Sequence, residues 1–331
     1  MKKEPTFRRC AALALTLVLA ALLSAPALAL FGSKKAAAAA ADEGAPVARE
    51  LEIATYRNIP YRAQFLSTDP EGEDVTYALD TAPGRGTVEI RGAEFVYTPA
   101  EGRTGTDRFT YTATDSAGHV SSPAEVTVRI DKVKSGVTYA DTAGSAAAAA
   151  AQHLAEEGIF VGARVGGAYF FEPERTVSRG EFLAMTMEAA GLPAGAVTMT
   201  GFCDDEAIPT WAKAYAAAGL ADGLIQGVST SDGVALRAGE DITYSEAASI
   251  LNRMLSVEDA DLSTWYAGDG SVPSWAAQAV ANMESVNVLS AGSFSGGKLE
   301  SPVTRADAAR MLSAAVTLTQ GEPRGPFDWL G

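Results

Sequence analysis

Gly158-Ile159-Phe160-Val161-Gly162 returns as Gly223-Leu224-Ile225-Gln226-Gly227 and, weakened, as Asn287-Val288-Leu289-Ser290-Ala291. The steps are 65 and 64 residues. Repetition at a near-constant period of this kind marks duplicated supersecondary units. The flanks repeat too. Asp205 with Ile208-Pro209-Thr210-Trp211-Ala212 matches Asp269 with Val272-Pro273-Ser274-Trp275-Ala276. Ser178-Arg179-Gly180-Glu181 matches Thr243-Tyr244-Ser245-Glu246 and Thr304-Arg305-Ala306-Asp307. The units run over residues 138–192, 200–256 and 264–318, and residues 319–331 form a tail.

Each unit reads as helix, loop, helix. Ser178 with Glu181, and Thr243 with Glu246, fit a capping box, in which a hydroxyl accepts from a backbone amide and an acid three residues on reaches back. Thr304 with Asp307 is a shorter variant. Apolar residues then follow helical spacing, as in Ala247, Ile250, Leu251 and Met254, and in Ala308, Met311, Leu312 and Ala315. Thr210 and Ser274, each just after a proline, are candidate caps for the first helices.

Asp–Trp–Ala, an alanine-rich helix, Gly-Ile-x-x-Gly and a Thr-Arg-Ala-Glu-like helix start together resemble the S-layer homology (SLH) repeat, over residues 138–318. The resemblance implies an all-α, three-repeat, pseudo-trimeric bundle. Its grooves would bind a secondary cell-wall polysaccharide, often one bearing pyruvylated N-acetylmannosamine. Arg179 and Arg305 hold the family's arginine position, and a guanidinium fork suits a ketal carboxylate. Each sits at a helix start, where the dipole adds positive potential. Trp211 and Trp275 can pack on a sugar face or in the bundle core. Asp141, Asp205 and Asp269 can accept from hydroxyls or orient an arginine, and Glu181 and Glu246 can be caps alone. The chain departs from the pattern at Tyr244 for arginine, Ala146 for tryptophan and Asn287 for glycine. One or two working grooves are expected rather than three.

Upstream, residues 49–131 alternate with period two. Val126, Val128 and Ile130 share one face, as do Phe109, Tyr111 and Ala113, and Val88 and Ile90. Gly92 marks a tight turn into Glu94-Phe95-Val96-Tyr97. Short strands at this spacing predict an all-β sandwich. From Asp69-Pro70-Glu71-Gly72 through Gly105-Thr106-Asp107 to Asp115-Ser116-Ala117-Gly118, the region resembles bacterial immunoglobulin-like, cadherin-like tandem domains. Such domains serve as stalk or spacer modules, and some related ones bind calcium. Asp69, Glu71, Asp74 and Asp115 offer oxygen ligands for it, or are solvated turn carboxylates capping strand ends. No metal and no cofactor is the expectation.

Lys2, Lys3, Arg8 and Arg9, an apolar run from about Ala11 to Leu23, and Ala27 and Ala29 at the −3 and −1 positions read as a signal peptide over residues 1–29. The run is short for a membrane span. Residues 30–48, with alanines 36–41, read as an Ala-rich linker. After cleavage no transmembrane segment is expected.

Net charge is −15, from 26 Lys+Arg against 41 Asp+Glu, which argues against nucleic-acid binding. Cleavage would leave Cys203 alone, without a disulfide partner, as a small core residue. Two histidines, His119 and His153, lack metal spacing. Gly292–Lys298 only approximates a phosphate loop, since Leu299 replaces the hydroxyl. The expectation is therefore a non-enzymatic exported protein at the cell wall or S-layer surface, anchored through an acidic wall polysaccharide, with the sandwich as spacer or display module. Two alternatives stand: an adhesin acting through the sandwich, and a scaffold component contacting proteins of the surface layer.

Overall fold

A computed structural model describes residues 44–265, 272–289 and 299–320, with the backbone alone described at 264, 265 and 320. The signal peptide, most of the Ala-rich linker, the Gly292–Lys298 segment and nearly all of the tail lie outside these residues.

The β region is a sandwich. One sheet has the order β2 (Leu51–Tyr56), β9 (Ala124–Asp131), β8 (Gly105–Thr114), β5 (Thr76–Thr81). The other has the order β3 (Tyr61–Gln64), β7 (Glu94–Pro99), β6 (Gly86–Arg91). β2 runs parallel to β9, with Leu51 opposite Val126, and the other pairs in these two sheets are antiparallel. The alternation predicts the faces correctly: Val126, Val128, Ile130, Phe109, Tyr111 and Ala113 are all buried. Gly92 takes φ +65° in the β6–β7 turn, a conformation that costs glycine nothing. Tyr111 ties strands together from inside, its hydroxyl 2.6 Å from the Arg49 carbonyl and 2.7 Å from that of Leu66. The sandwich begins earlier than expected. Val47 and Ala48 form β1, paired with Ser67 and Thr68 of β4, so the linker ends before them.

The chain leaving β9 is fastened to the next region. Glu156, at the end of α1 (Ala148–Glu156), accepts from the amides of Lys134 at 2.8 Å and Ser135 at 3.0 Å, and from the Ser135 hydroxyl at 2.6 Å.

The C-terminal region is helical but not all-α. After α1 comes a hairpin of β10 (Ala163–Val165) and β11 (Ala168–Phe170), then α2 (Arg179–Ala189). The pattern recurs as α3 (Thr210–Ala221), β12 (Val228–Thr230), β13 (Gly233–Ala235) and α4 (Tyr244–Leu255). A short α5 (Leu262–Trp265) precedes α6 (Ala277–Ser285) and α7 (Arg305–Gln320). The hairpins correct the helix–loop–helix expectation. Their three-residue strands are too short to display alternation. The glycines carry the signal instead: a Cβ on Gly162, at φ +65°, would lie 2.2 Å from the Phe170 carbonyl oxygen.

Helices pack across units rather than within them: α3 on α2, α6 on α4, and α1 on α7. Small residues allow this, and Ala147, Ala212 and Ala276 sit fully buried at equivalent starts. The units also close a hydrogen-bonded ring. The amide of Val177 donates to Val303, that of Val303 to Ile242, and that of Ile242 to Val177, each at 2.9 Å. All three residues are buried at the centre of one apolar core. Gly158, Gly223 and Asn287 take φ +73°, +74° and +53°. Asn287 therefore preserves the left-handed turn its glycine counterparts make, as asparagine does readily, and its presence disturbs nothing.

Candidate functional site

Three seams result, each combining the second helix of one unit with the first helix of another. Two helix starts are capped as the spacing predicts. Glu181 N donates to Ser178 Oγ at 3.2 Å while Ser178 N donates to the Glu181 carboxylate at 3.0 Å. Thr243 and Glu246 repeat this at 3.3 and 3.0 Å. In the third, Asp307 is one carbon shorter, and the Thr304 hydroxyl donates to it at 2.8 Å while receiving its amide at 3.2 Å. Thr210 and Ser274 do not cap. α3 and α6 lack a side-chain cap, and the turns bond internally instead, Ala212 N to Pro209 O at 2.8 Å and Ala276 N to Pro273 O at 2.9 Å.

The α2–α3 seam holds Arg179 and Trp211. A Cβ on Gly180 would lie 3.6 Å from that of Ala212, so the two helix starts meet there. Trp211 is 52% exposed. Arg179 Nη1 donates to Glu240 at 2.9 Å and Nη2 to the capping Glu246. Burial would lower the arginine's pKa, but these two carboxylates outweigh it and raise the value.

The α4–α6 seam holds Tyr244 and Trp275. Trp275 is 61% exposed, while Tyr244 is buried with its hydroxyl on Asp307. Burial first, then that bond, push its pKa up. The α7–α1 seam holds Arg305 and Ala146. Arg305 is 6% exposed. Its Nη1 donates to the Phe171 carbonyl at 2.9 Å and to Glu172 at 2.8 Å, and its guanidinium lies 5.1 Å from the centre of the Phe160 ring. Among the three seams, only α2–α3 therefore joins an arginine to an exposed indole. Neither of these two tryptophans is buried in the bundle core.

The helix starts offer little to an anion beyond their dipoles. Arg179 N and Gly180 N already donate to Glu240 O and Ala238 O, and Arg305 N and Ala306 N to Arg175 O and Pro173 O.

The aspartates behave differently from expectation. Asp141 accepts from the amides of Phe171 at 2.8 Å and Glu172 at 2.7 Å, closing the exit of its hairpin. Its structural counterpart is Asp204, on Leu236 at 2.9 Å and Arg237 at 2.7 Å, not Asp205. Asp205 takes Lys213 and the Thr200 amide and hydroxyl, which pull its pKa down to about 2. It orients no arginine. Asp269 lies outside the described residues. Sequence reasoning missed Asp204 by one position, and missed Glu240 and Glu172 because their arginine partners are some 60 and 130 residues away.

Of the four calcium candidates, Asp69, Glu71 and Asp115 bring oxygens within 4.8 Å of one another, and Asp74 does not join that group. The oxygen-only donor set fits a hard cation, and Asp69 Oδ2 is buried without a hydrogen-bond partner. Asp69 Oδ1 and the Asp115 carboxylate serve the turns. Asp69 Oδ1 accepts from the Glu71 and Glu73 amides, and Asp115 accepts from the Gly118 and His119 amides and faces His119 Nδ1. Cys203 is exposed rather than in the core.

Residues 42–130 match the family model described as a bacterial Ig domain. No curated protein matches the chain. Solved structures that resemble it in part include these three. The endo-fucoidan hydrolase MfFcnA4 of glycoside hydrolase family 107 is 21% identical, with 28% of this chain and 14% of that one covered and a TM-score of 0.23. The fibronectin(III)-like modules of Clostridium thermocellum CbhA are 16% identical over 27% and 47%, with a TM-score of 0.20. Drosophila N-cadherin EC1-3 is 18% identical over 27% and 34%, with a TM-score of 0.21. The chain thus spans less than half the length of each. Among the described residues, no helix is long and apolar enough to cross a membrane.

Proposed function

We propose that this is a non-enzymatic, exported cell-surface protein held to the wall by its helical units. These act as SLH repeats on an acidic secondary polysaccharide, and the Ig-like sandwich is a spacer or display module. One observation carries the reading: the α2–α3 seam brings two helix starts together, one carrying Arg179 and the other the exposed indole of Trp211. An exposed indole suits a sugar ring, and a guanidinium in the same seam suits a carboxylate on that sugar. The match of residues 42–130 to a bacterial Ig domain supports a surface or binding role for the sandwich. The fastening of its exit strand by Glu156 suits a stiff spacer.

The test is co-sedimentation of the protein with purified wall sacculi, before and after chemical removal of their secondary polymer. Binding should disappear with the polymer. Binding that survives its removal would refute anchoring by this route.

A further inference from the structure

We infer that Glu240 is a built-in competitor for the carboxylate of an acidic ligand at the α2–α3 seam, and so sets how tightly that seam holds it. The inference rests on the anchoring reading above.

The two carboxylates on Arg179 are held in different ways. Glu246 belongs to the cap of α4, where it also receives the Thr243 amide at 3.0 Å. Displacing it would leave that amide without its acceptor. Glu240 lies in the turn between β13 and α4, and its side chain is 57% exposed. Its carboxylate contacts Arg179 Nη1 at 2.9 Å and lies 3.8 Å from Arg237 Nη1. This seat between two guanidinium groups, at the rim of the seam that carries Trp211, is the one a ligand carboxylate would favour most. In the free protein Glu240 fills it.

Charge counting leads to the same place. Arg179 and Arg237 balance Glu240 and Glu246, so the cluster is neutral before any ligand arrives. An added anion that left Glu240 in place would make the cluster negative, on a chain that is already −15. An anion that displaces Glu240 into water keeps the cluster neutral, and a long, exposed side chain moves at small cost. The α7–α1 seam is wired in reverse. There Glu172 and Arg175 occupy the positions of Arg237 and Glu240, and Arg175 binds the capping Glu181 at 2.8 Å. Glu172 of the α7–α1 seam also sits between two guanidinium groups, Arg305 at 2.8 Å and Arg175 at 3.9 Å, but that seam has Ala146 in place of a tryptophan, so among the three seams only α2–α3 combines such a carboxylate with an exposed indole.

The experiment is calorimetric titration of the purified protein and of Glu240→Gln. The probes are the methyl glycoside of N-acetylmannosamine bearing a pyruvate ketal, and the same sugar without the ketal. An exposed ion pair that must be broken weakens binding modestly, so Glu240→Gln should bind the acidic sugar about threefold more tightly. Affinity for the neutral sugar should be the same in both proteins, and so should the melting temperature. Equal or weaker binding of the acidic sugar by Glu240→Gln would overturn the competitor role and leave anchoring intact. No binding of the acidic sugar by either protein would overturn both.

Discussion

Arg305→Ala should damage the fold, although Arg305 is among the residues expected from the sequence to contact a ligand. The magnitude follows from its surroundings. Phe171 is fully buried, and its carbonyl would lose the donor at 2.9 Å. A buried acceptor left unpaired costs about 1–3 kcal/mol. The lost contact with the Phe160 face adds about 0.5–2 kcal/mol. Glu172 is half-exposed and regains water, so its share stays below about 1 kcal/mol. The sum is about 3 kcal/mol. For a unit of this size that lowers the melting temperature by roughly 6–12 °C. Tryptophan fluorescence isolates the effect, since Trp211, Trp265, Trp275 and Trp329 all lie outside the sandwich. Arg179→Ala is the comparison: Glu240 is exposed and Glu246 keeps the Thr243 amide as a donor, so about 1 kcal/mol is expected. If Arg305→Ala melted within about 2 °C of the unsubstituted protein, the reasoning from burial would fail and Arg305 would return to the ligand.

Thr243→Ala removes one side of a reciprocal cap and should cost about 1 kcal/mol by urea denaturation, whereas Thr210→Ala, which removes no cap, should cost much less. His153 is held below its usual pKa by burial, partly offset by Glu157. The unfolded chain therefore binds a proton more readily, and stability should fall as pH drops below about 6.5. His153→Gln should flatten that decline, and an unchanged pH profile would show that another group causes it. Tyr111→Phe takes the hydroxyl donor from the Arg49 carbonyl and one of two donors from that of Leu66, and should lower the melting temperature of a fragment spanning residues 44–136, which carries the whole sandwich core. A fragment without a cooperative transition would show that the sandwich needs the helices.

Much of this was legible because it is local. Alternation at Val126, Val128 and Ile130 names an inward face without knowledge of the partner strand. Ser178 with Glu181, and Thr243 with Glu246, form caps within four residues of chain. Legibility ends where partners are distant. The periodicity identifies the units but not which helices meet, and the exchange of first helices between units decides what each seam contains. Read along the chain, Tyr244 and Ala146 look like one defect in each of two units. In space, Tyr244 falls in the seam of Trp275 and Ala146 in that of Arg305, so both defects spare the seam of Arg179 and Trp211. Exposure was illegible for similar reasons. Cys203 and the two tryptophans look like core residues by type, and only the packing of their neighbours turns them outward.

The ring through Val177, Ile242 and Val303 has a consequence for connectivity. Each member gives one bond and takes one, so the ring has no first or last place, and covalent order along the chain is not needed to close it. A chain cut between two units and rejoined elsewhere should still fold. A fragment carrying two units leaves one donor and one acceptor open, spaced to take a third unit from another molecule. Single units should in turn assemble as homotrimers. Partial proteolysis between units would then yield exchangeable parts rather than debris, able to link neighbouring molecules through the same three bonds that now close within one.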